Sequence, residues 1–374
     1  MRAVEVDGGP GSVAELTEAL AGALAGGPAV LPYASETLRD AMEPSRPAEP
    51  GTAVIIATSG STGEPKGVLL SAAALAASAH ATHARLGGPG HWLLATPAQY
   101  IGGLQVLVRS LLAGTTPVVL HASGFRPDDF AEAAAPLLAL DGPRYTALVP
   151  TQLGRLLDAG GPGLAAARAF DAIVVGAAAT TTELRERAAE AGVKIVPAYG
   201  MSETASGCVY DGVPLDGVHV DLEDERVCIT GEVVAHGYRL RPDLTAESFD
   251  GGKFRTSDRG RLSPEGRLEI LGRIDDMINT GGVKVAAAAV ERILTAQPGI
   301  RDACVVGVPD PEWGEAVVAL VVGAGCDVDS LRAACREEAG AAAAPKRVEF
   351  TEELPLRGPG KVDRTAVRNL LLRS

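Results

Sequence analysis

The stretch IIATSGSTGEPKG, residues 55–67, decides how this chain is read. An apolar run at 53–57 has the length and composition of a short buried strand. It opens into Thr58, Ser59, Gly60, Ser61, Thr62 and Gly63, then Pro65, Lys66 and Gly67, and a second apolar run follows at 68–70. Glycines let a backbone approach an anion closely, hydroxyl residues add donors, and one lysine supplies a point charge. The combination reads as a loop that cradles a polyphosphate, with Lys66 as its cation. It is not a Walker A loop, which needs Gly before its Lys and Ser or Thr after it; here Pro65 precedes Lys66 and Gly67 follows. A flexible Gly/Ser linker is the plainer alternative, but linkers rarely sit between two strand-like runs and carry a Pro–Lys pair.

The 374 residues are enough to bury a sizeable core and to form two domains. A net charge of −13 argues against a nucleic-acid partner or an anionic membrane surface. Most cationic charge is arginine, and lysine stands only at positions 66, 194, 253, 284, 346 and 361, so a lysine within a glycine-rich loop gains weight. The five cysteines form no CxxC pair, which argues against both a zinc site and a disulfide framework. MRAVEVDGG at the start holds no apolar core of a signal peptide, and the longest apolar candidate, 101–120, is broken by Arg109 and Pro117. The expectation is a soluble, cytoplasmic protein with no membrane insertion.

Residues 1–50 read as a strand, a helix at 12–24 and a Pro-rich connection. An Ala-rich helix at 71–86 has Ser71 as its N-cap; His80 and His83 on it lack a third metal ligand and read as surface or packed side chains. A strand ends at Thr96-Pro97, a turn carries Tyr100, Gly102 and Gly103, and a helix spans 104–112, with Arg109 inside it as a surface or salt-bridged residue. Strands at 115–120, 145–149, 170–175 and 193–198 alternate with helices at 127–138 and 152–159, a pattern of parallel α/β structure. Ligands gather beyond the carboxyl ends of such strands. The 193–198 strand leads into Tyr199, Gly200, Met201, Ser202 and Glu203. An aromatic ring there can stack on a purine, and the Glu203 carboxylate can hold Mg²⁺, which prefers oxygen ligands and shared phosphates. Alternation from 218 to 238 around an acidic turn at 223–225 suggests a hairpin or small barrel. The tail reads as a helix at 285–295, strands at 303–308 and 316–322, and a helix at 328–339.

TSGSTGEPKG resembles the signature loop of the adenylate-forming superfamily of acyl-CoA synthetases, adenylation domains and luciferases. Further matches follow in family order from residue 53 to the C-terminus: YGMSE at 199–203 resembles YGxTE, FRTSDRG at 254–260 resembles YRTGDL, GRIDDMI at 272–278 resembles GRxDDxI, and LPLRGPGKVDR at 354–364 resembles LPxTxxGKxxR. The resemblance implies an α/β fold: a large N-terminal domain of α/β sheets with a β-barrel-like subdomain, 1–274, and a small mobile α+β C-terminal domain, 275–374, hinged at Asp275. It implies ATP and AMP binding by Thr58 to Gly63, Gly176, Ala177 and Ala178 beside the adenine, Tyr199, Gly200 and Ser202, Asp258 on the ribose, and Arg273. Catalysis would fall to Lys361, Glu203 and Lys66, with Mg²⁺ on Glu203 and Thr58. Tyr100, Gly102 and Gly103 would line the acid pocket, and Gly281 and Gly282 the CoA tunnel.

The implied activity joins an acid to CoA through an acyl-adenylate. QYIGGLQVLVRSLLAG at 99–114 is similar to the same stretch of the o-succinylbenzoate–CoA ligases of menaquinone biosynthesis, and the short segment before the phosphate loop fits that group. The partners expected are ATP, CoA and an aromatic carboxylic acid; a homodimer is left open. Other readings are a different aryl- or acyl-CoA ligase, a stand-alone carrier-loading adenylation enzyme, and a non-catalytic nucleotide-binding module.

Overall fold

The computed structural model describes residues 1–58, 65–121, 124–357 and 361–373. The chain divides into two compact units, one of 1–221, 228–256 and 266–268, the other of 222–227, 257–265 and 269–374.

In the first unit, the strand before the phosphate loop sits in a five-stranded sheet. Arg2–Glu5, Val30–Tyr33 and Val54–Thr58 run parallel, and Lys66–Leu70 turns back antiparallel with Gly237–Tyr238 beside it. Val54, Ile55, Ile56, Val68 and Leu70 are fully buried, as an apolar run on a covered sheet requires. The strand Val30–Tyr33 and the short helix Glu36–Ala41 replace much of the expected Pro-rich connection.

A second sheet has seven strands in the order Val213–Pro214, Ser206–Tyr210, Ile195–Met201, Ala172–Val175, Arg144–Leu148, His91–Leu94 and Val118–Val119. Its members from Ile195–Met201 to Val118–Val119 are parallel and its Ser206–Tyr210 edge is antiparallel. Leu93, Phe130, Leu148, Ile173 and Val175 form the core between this sheet and its helices. Helix Pro127–Leu138 opens on its proline, as expected. Helix Ala72–Leu86 is capped by Ser71, whose hydroxyl oxygen accepts from Ala74 N at 3.0 Å. Helix Gly161–Ala169 was not foreseen.

The turn expected at Tyr100 to Gly103 is instead the start of a helix, Ile101–Ala113, with Tyr100 at its N-cap. Gly103 is required there by packing: a Cβ would collide with the carbonyl oxygens of Thr96 and Pro97. The expected strand 115–120 contracts to Val118–Val119.

A third, five-stranded sheet orders His219–Glu223, Arg226–Thr230, Lys253–Leu262 and Phe249–Asp250, with Leu268–Arg273 also on Lys253–Leu262. The acidic turn stands where expected, with Asp224 and Glu225 at positive φ.

In the second unit, Ile300–Asp310 and Gly314–Gly323 form a long antiparallel pair. Their side chains alternate between two cores: Ala303, Val305, Val317, Ala319 and Val321 on one face, and Cys304, Val306, Val318 and Leu320 on the other. Helices Ala287–Thr295 and Val328–Ala339 contribute to the first core, and helix Arg364–Arg373, which was not foreseen, to the second. The helix expected from 285 begins only at Ala287, because Val283–Ala286 is a strand paired with Met277–Thr280. No helix among the described residues is long and apolar enough to cross a membrane.

Candidate active site

The hairpin of the first sheet fixes the base of the phosphate loop. Thr58 and Lys66 face each other across it, and Thr58 Oγ1 donates to the Lys66 carbonyl at 3.3 Å. Ser59, Gly60, Ser61, Thr62 and Gly63 lie outside the described residues. At the end of the neighbouring sheet, Tyr199 and Gly200 complete the strand Ile195–Met201, and Ser202 and Glu203 enter a single 3-10 turn, Ser202–Thr204. Thr204 locks that turn by accepting from Met201 N at 3.0 Å.

These two sheet ends bring Lys66 and Glu203 together. Lys66 Nζ donates to Glu203 Oε1 at 3.0 Å, with the two side chains 27% and 9% exposed. A third residue joins them. The Tyr238 hydroxyl donates to the same Oε1 at 2.8 Å, accepts from Lys66 Nζ at 3.3 Å, and its ring centroid lies 4.6 Å from the ammonium. Burial, and then the Glu203 charge, push the Tyr238 hydroxyl above its ordinary pKa, so it remains a donor. Sequence reasoning missed Tyr238, which was read only as the end of a β-like stretch. No signal in the sequence marked it; the next residue, Arg239, is 2% exposed and bonded to the carbonyls of Met42, Glu43, Arg46 and Pro47 and to Glu49.

Both bonds to the Glu203 carboxylate fall on Oε1, which leaves Oε2 without a partner among the described residues. That arrangement fits a Mg²⁺ that arrives with phosphates and keeps several waters. It does not fit an all-protein cage, since no group of three His, Cys, Asp or Glu among the described residues could hold a metal.

Gly176, Ala177 and Ala178 follow the strand Ala172–Val175; Gly176 is half-buried, Ala177 and Ala178 are exposed, and Ala177 takes φ +70°. Asp258, Arg273, Asp275, Gly281, Gly282 and Lys361 belong to the second unit. There Arg273 forms a bidentate pair with Asp275 at 2.8 and 2.6 Å and lies 3.9 Å from buried Asp258. Gly281 and Gly282 have φ +57° and +79°, and a Cβ on Gly281 would stand 2.5 Å from the Trp313 ring. Lys361 is exposed and opens a short strand, Lys361–Val362, paired with Leu356–Arg357.

The acid-pocket segment holds a second unforeseen feature. Arg109 is neither at the surface nor salt-bridged: it is 1% exposed, and no carboxylate pairs with it among the described residues. Its guanidinium carbon lies 5.0 Å from the Trp92 ring centroid, and its Nε and Nη2 have no hydrogen-bond partner. His83 Nε2, Trp92 Nε1, Thr96 Oγ1, Gln99 Oε1 and Gln105 Oε1 are likewise buried without partners. All of these side chains stand on the helices Ala72–Leu86 and Ile101–Ala113 or on the strand and turn between them. Burial first, then the Arg109 charge, push His83 down from 6.5 to about 4, so the imidazole is neutral beside the cation. Buried polar groups without partners are rare, and several of them fall on this one segment of the chain.

A family model described as AMP-binding enzyme matches residues 10–239, and one described as AMP-binding enzyme C-terminal domain matches residues 289–361. A probable 2-succinylbenzoate–CoA ligase from Mycobacterium tuberculosis (strain ATCC 25618 / H37Rv) is 44% identical over 381 residues, covering 98% of this chain and 97% of that one. The o-succinylbenzoate CoA synthetase of Bacillus subtilis, solved with the acyl-adenylate intermediate, is 25% identical at a TM-score of 0.74, covering 95% of this chain and 80% of that one. The same synthetase solved with ATP and magnesium ion gives 27% identity and a TM-score of 0.72, covering 86% and 70%.

Proposed function

The chain belongs to the AMP-binding enzyme family, and on that premise we propose that it is an AMP-forming acid–CoA ligase whose acid is o-succinylbenzoate. The observation that carries the choice of acid is Arg109. An unpaired buried cation is expensive unless a ligand supplies the counter-charge. An acid with two carboxylates does so: one is activated, and the other meets the Arg109 guanidinium. The reading is supported by the 44% identity to a probable ligase of that acid over nearly the whole chain.

In the first half-reaction, an oxygen of the substrate carboxylate attacks the α-phosphorus of ATP, and pyrophosphate leaves. Lys66 turns from Glu203 to the phosphates, Thr58 and the loop after it hold them, and Lys361 offsets the charge that builds as one anion approaches another. Mg²⁺, held with ATP by Glu203 and Thr58, would neutralise phosphate charge. Tyr199 stacks on the adenine beside Gly176, Ala177, Ala178, Gly200 and Ser202, while Asp258 accepts from the ribose hydroxyls with Arg273 nearby. Tyr100, Gly102 and Gly103 shape the acid pocket. In the second half-reaction, the small domain pivots at Asp275, Lys361 withdraws, and the CoA thiol passes Gly281 and Gly282 to attack the acyl carbon, releasing AMP. Positioning and charge stabilisation supply the catalysis, and the pivot gates it.

The test is AMP release and thioester formation with ATP, Mg²⁺, CoA and o-succinylbenzoate, beside Lys361→Ala. Turnover by the wild type, lowered on the order of a hundredfold or more in the variant, is the expected result. Turnover only with benzoate or a fatty acid would keep the mechanism and discard the acid.

A further inference from the structure

We propose that Tyr238 is a positioning residue of the phosphate site: its hydroxyl holds the Glu203 carboxylate in place when Lys66 leaves it for the nucleotide. The proposal rests on the nucleotide half of the proposed function and not on the identity of the acid.

The geometry gives Lys66 and Glu203 a conflict. Each is needed by a different part of a metal–nucleotide complex, yet without ligand they satisfy each other at 3.0 Å. A bare lysine–carboxylate pair would be free to rotate until both carboxylate oxygens faced the ammonium, and a metal would then have to displace it. Tyr238 prevents that arrangement. Its hydroxyl donates to Oε1 at 2.8 Å, the same oxygen that Lys66 takes, and Oε2 has no partner among the described residues. The same oxygen accepts from Lys66 at 3.3 Å, and the ring face lies 4.6 Å from the ammonium. The lysine therefore has a partner that attracts it without neutralising it. When phosphates draw Lys66 away, Oε1 keeps one charge-assisted hydrogen bond and the carboxylate keeps its orientation.

Tyr238 is itself held firmly. Gly237–Tyr238 pairs with Leu69 and Val68, Tyr238 N donates to Thr245 Oγ1 at 2.9 Å, and its ring meets Phe249 edge-on at 5.3 Å. The next residue, Arg239, donates its backbone N–H to Gly67 O at 2.8 Å, adjacent to Lys66. The hydroxyl therefore belongs to the same rigid sheet edge as the lysine it serves.

The experiment is calorimetric titration of ATP into the full chain across a range of free Mg²⁺, with no acid and no CoA. Tyr238→Phe keeps the ring over Lys66 and removes only the hydroxyl. The half-saturating Mg²⁺ for ATP binding is expected to rise about tenfold, the size of one hydrogen bond to a charged group. ATP affinity at saturating Mg²⁺ and the thermal midpoint should stay near wild type. In a Glu203→Gln background, Tyr238→Phe should have no further effect on the Mg²⁺ requirement, because it acts through the carboxylate. An unchanged Mg²⁺ requirement in Tyr238→Phe, a uniform loss of ATP affinity at every Mg²⁺ concentration, or additive effects in the double variant would each overturn the role. A wild type that binds no ATP would instead remove the nucleotide reading beneath it.

Discussion

The first unit holds two cations in opposite states. Lys66 is partly exposed and doubly engaged, by Glu203 and by Tyr238. Arg109 is more deeply buried, and two of its nitrogens bond to nothing. The difference teaches what each site awaits. A satisfied ion pair is a resting state that a ligand must break, so it suits a substrate that brings both anion and metal. An unsatisfied buried guanidinium is prepared in advance, and suits an anion carried in on an otherwise apolar acid. Arginine fits the second task because its planar fork stays charged and matches a carboxylate bidentately; lysine fits the first because a point charge transfers between partners without a fixed angle.

Stability measurements can break this contrast. Glu203→Leu strands Lys66 beside Tyr238 without its counter-charge. Removing one partner of a buried pair costs several kcal/mol, and the water that reaches Lys66 reduces this to about 1–2 kcal/mol. Chemical denaturation of the ligand-free chain would read the loss. Arg109→Leu should cost less, within about 1 kcal/mol of wild type, because relief of a buried charge without a counter-ion offsets the loss of its hydrogen bond to Tyr210 and its contact with the Trp92 ring. A loss in Arg109→Leu as large as that in Glu203→Leu would mean that the guanidinium is held by its protein contacts rather than awaiting an anion.

A smaller effect sharpens the same point. His83 is buried beside Arg109 and is pushed from 6.5 down to about 4. Its folded pKa lies below the unfolded one, so the unfolded chain binds a proton first as pH falls. Stability from this group is complete above about 6.5 and declines as pH drops towards 4, by at most about 1.4 kcal/mol per pH unit. Melting curves at stepped pH should show a shallower decline in His83→Leu. An equal slope in both proteins would place the titration elsewhere.

Much of the architecture was legible from the sequence because local signals agreed with the fold. Pro127 opened its helix, Ser71 capped its own, and residues 328–339 formed the expected helix. The failures share a physical cause: the deciding contact is a packing or a pairing that residue types alone do not specify. Gly102 and Gly103 look like a turn, and only the carbonyls of Thr96 and Pro97 show that Gly103 is a helical residue at a close approach. Val283–Ala286 reads as the start of the following helix until its pairing with Met277–Thr280 is known. At the site, Lys66 and Glu203 could be singled out because their motifs are long. Tyr238 could not, since its role comes from a strand pairing with no local signature. Arg109 was visible, and was read as a surface or salt-bridged side chain, because an arginine inside an amphipathic helix normally faces water, and, as no more than a guess, as the cation for a second carboxylate.

On the proposed function, Arg109 meets the second carboxylate of the acid. The most direct measurement compares kcat/KM for o-succinylbenzoate with that for 4-oxo-4-phenylbutanoate, which lacks the ring carboxylate, in wild type and Arg109→Leu. Wild type should favour the dicarboxylate and the variant should lose about a hundredfold on it, with the monoacid changed far less. Equal losses on both acids, or a variant that still prefers o-succinylbenzoate as strongly as wild type, would contradict it.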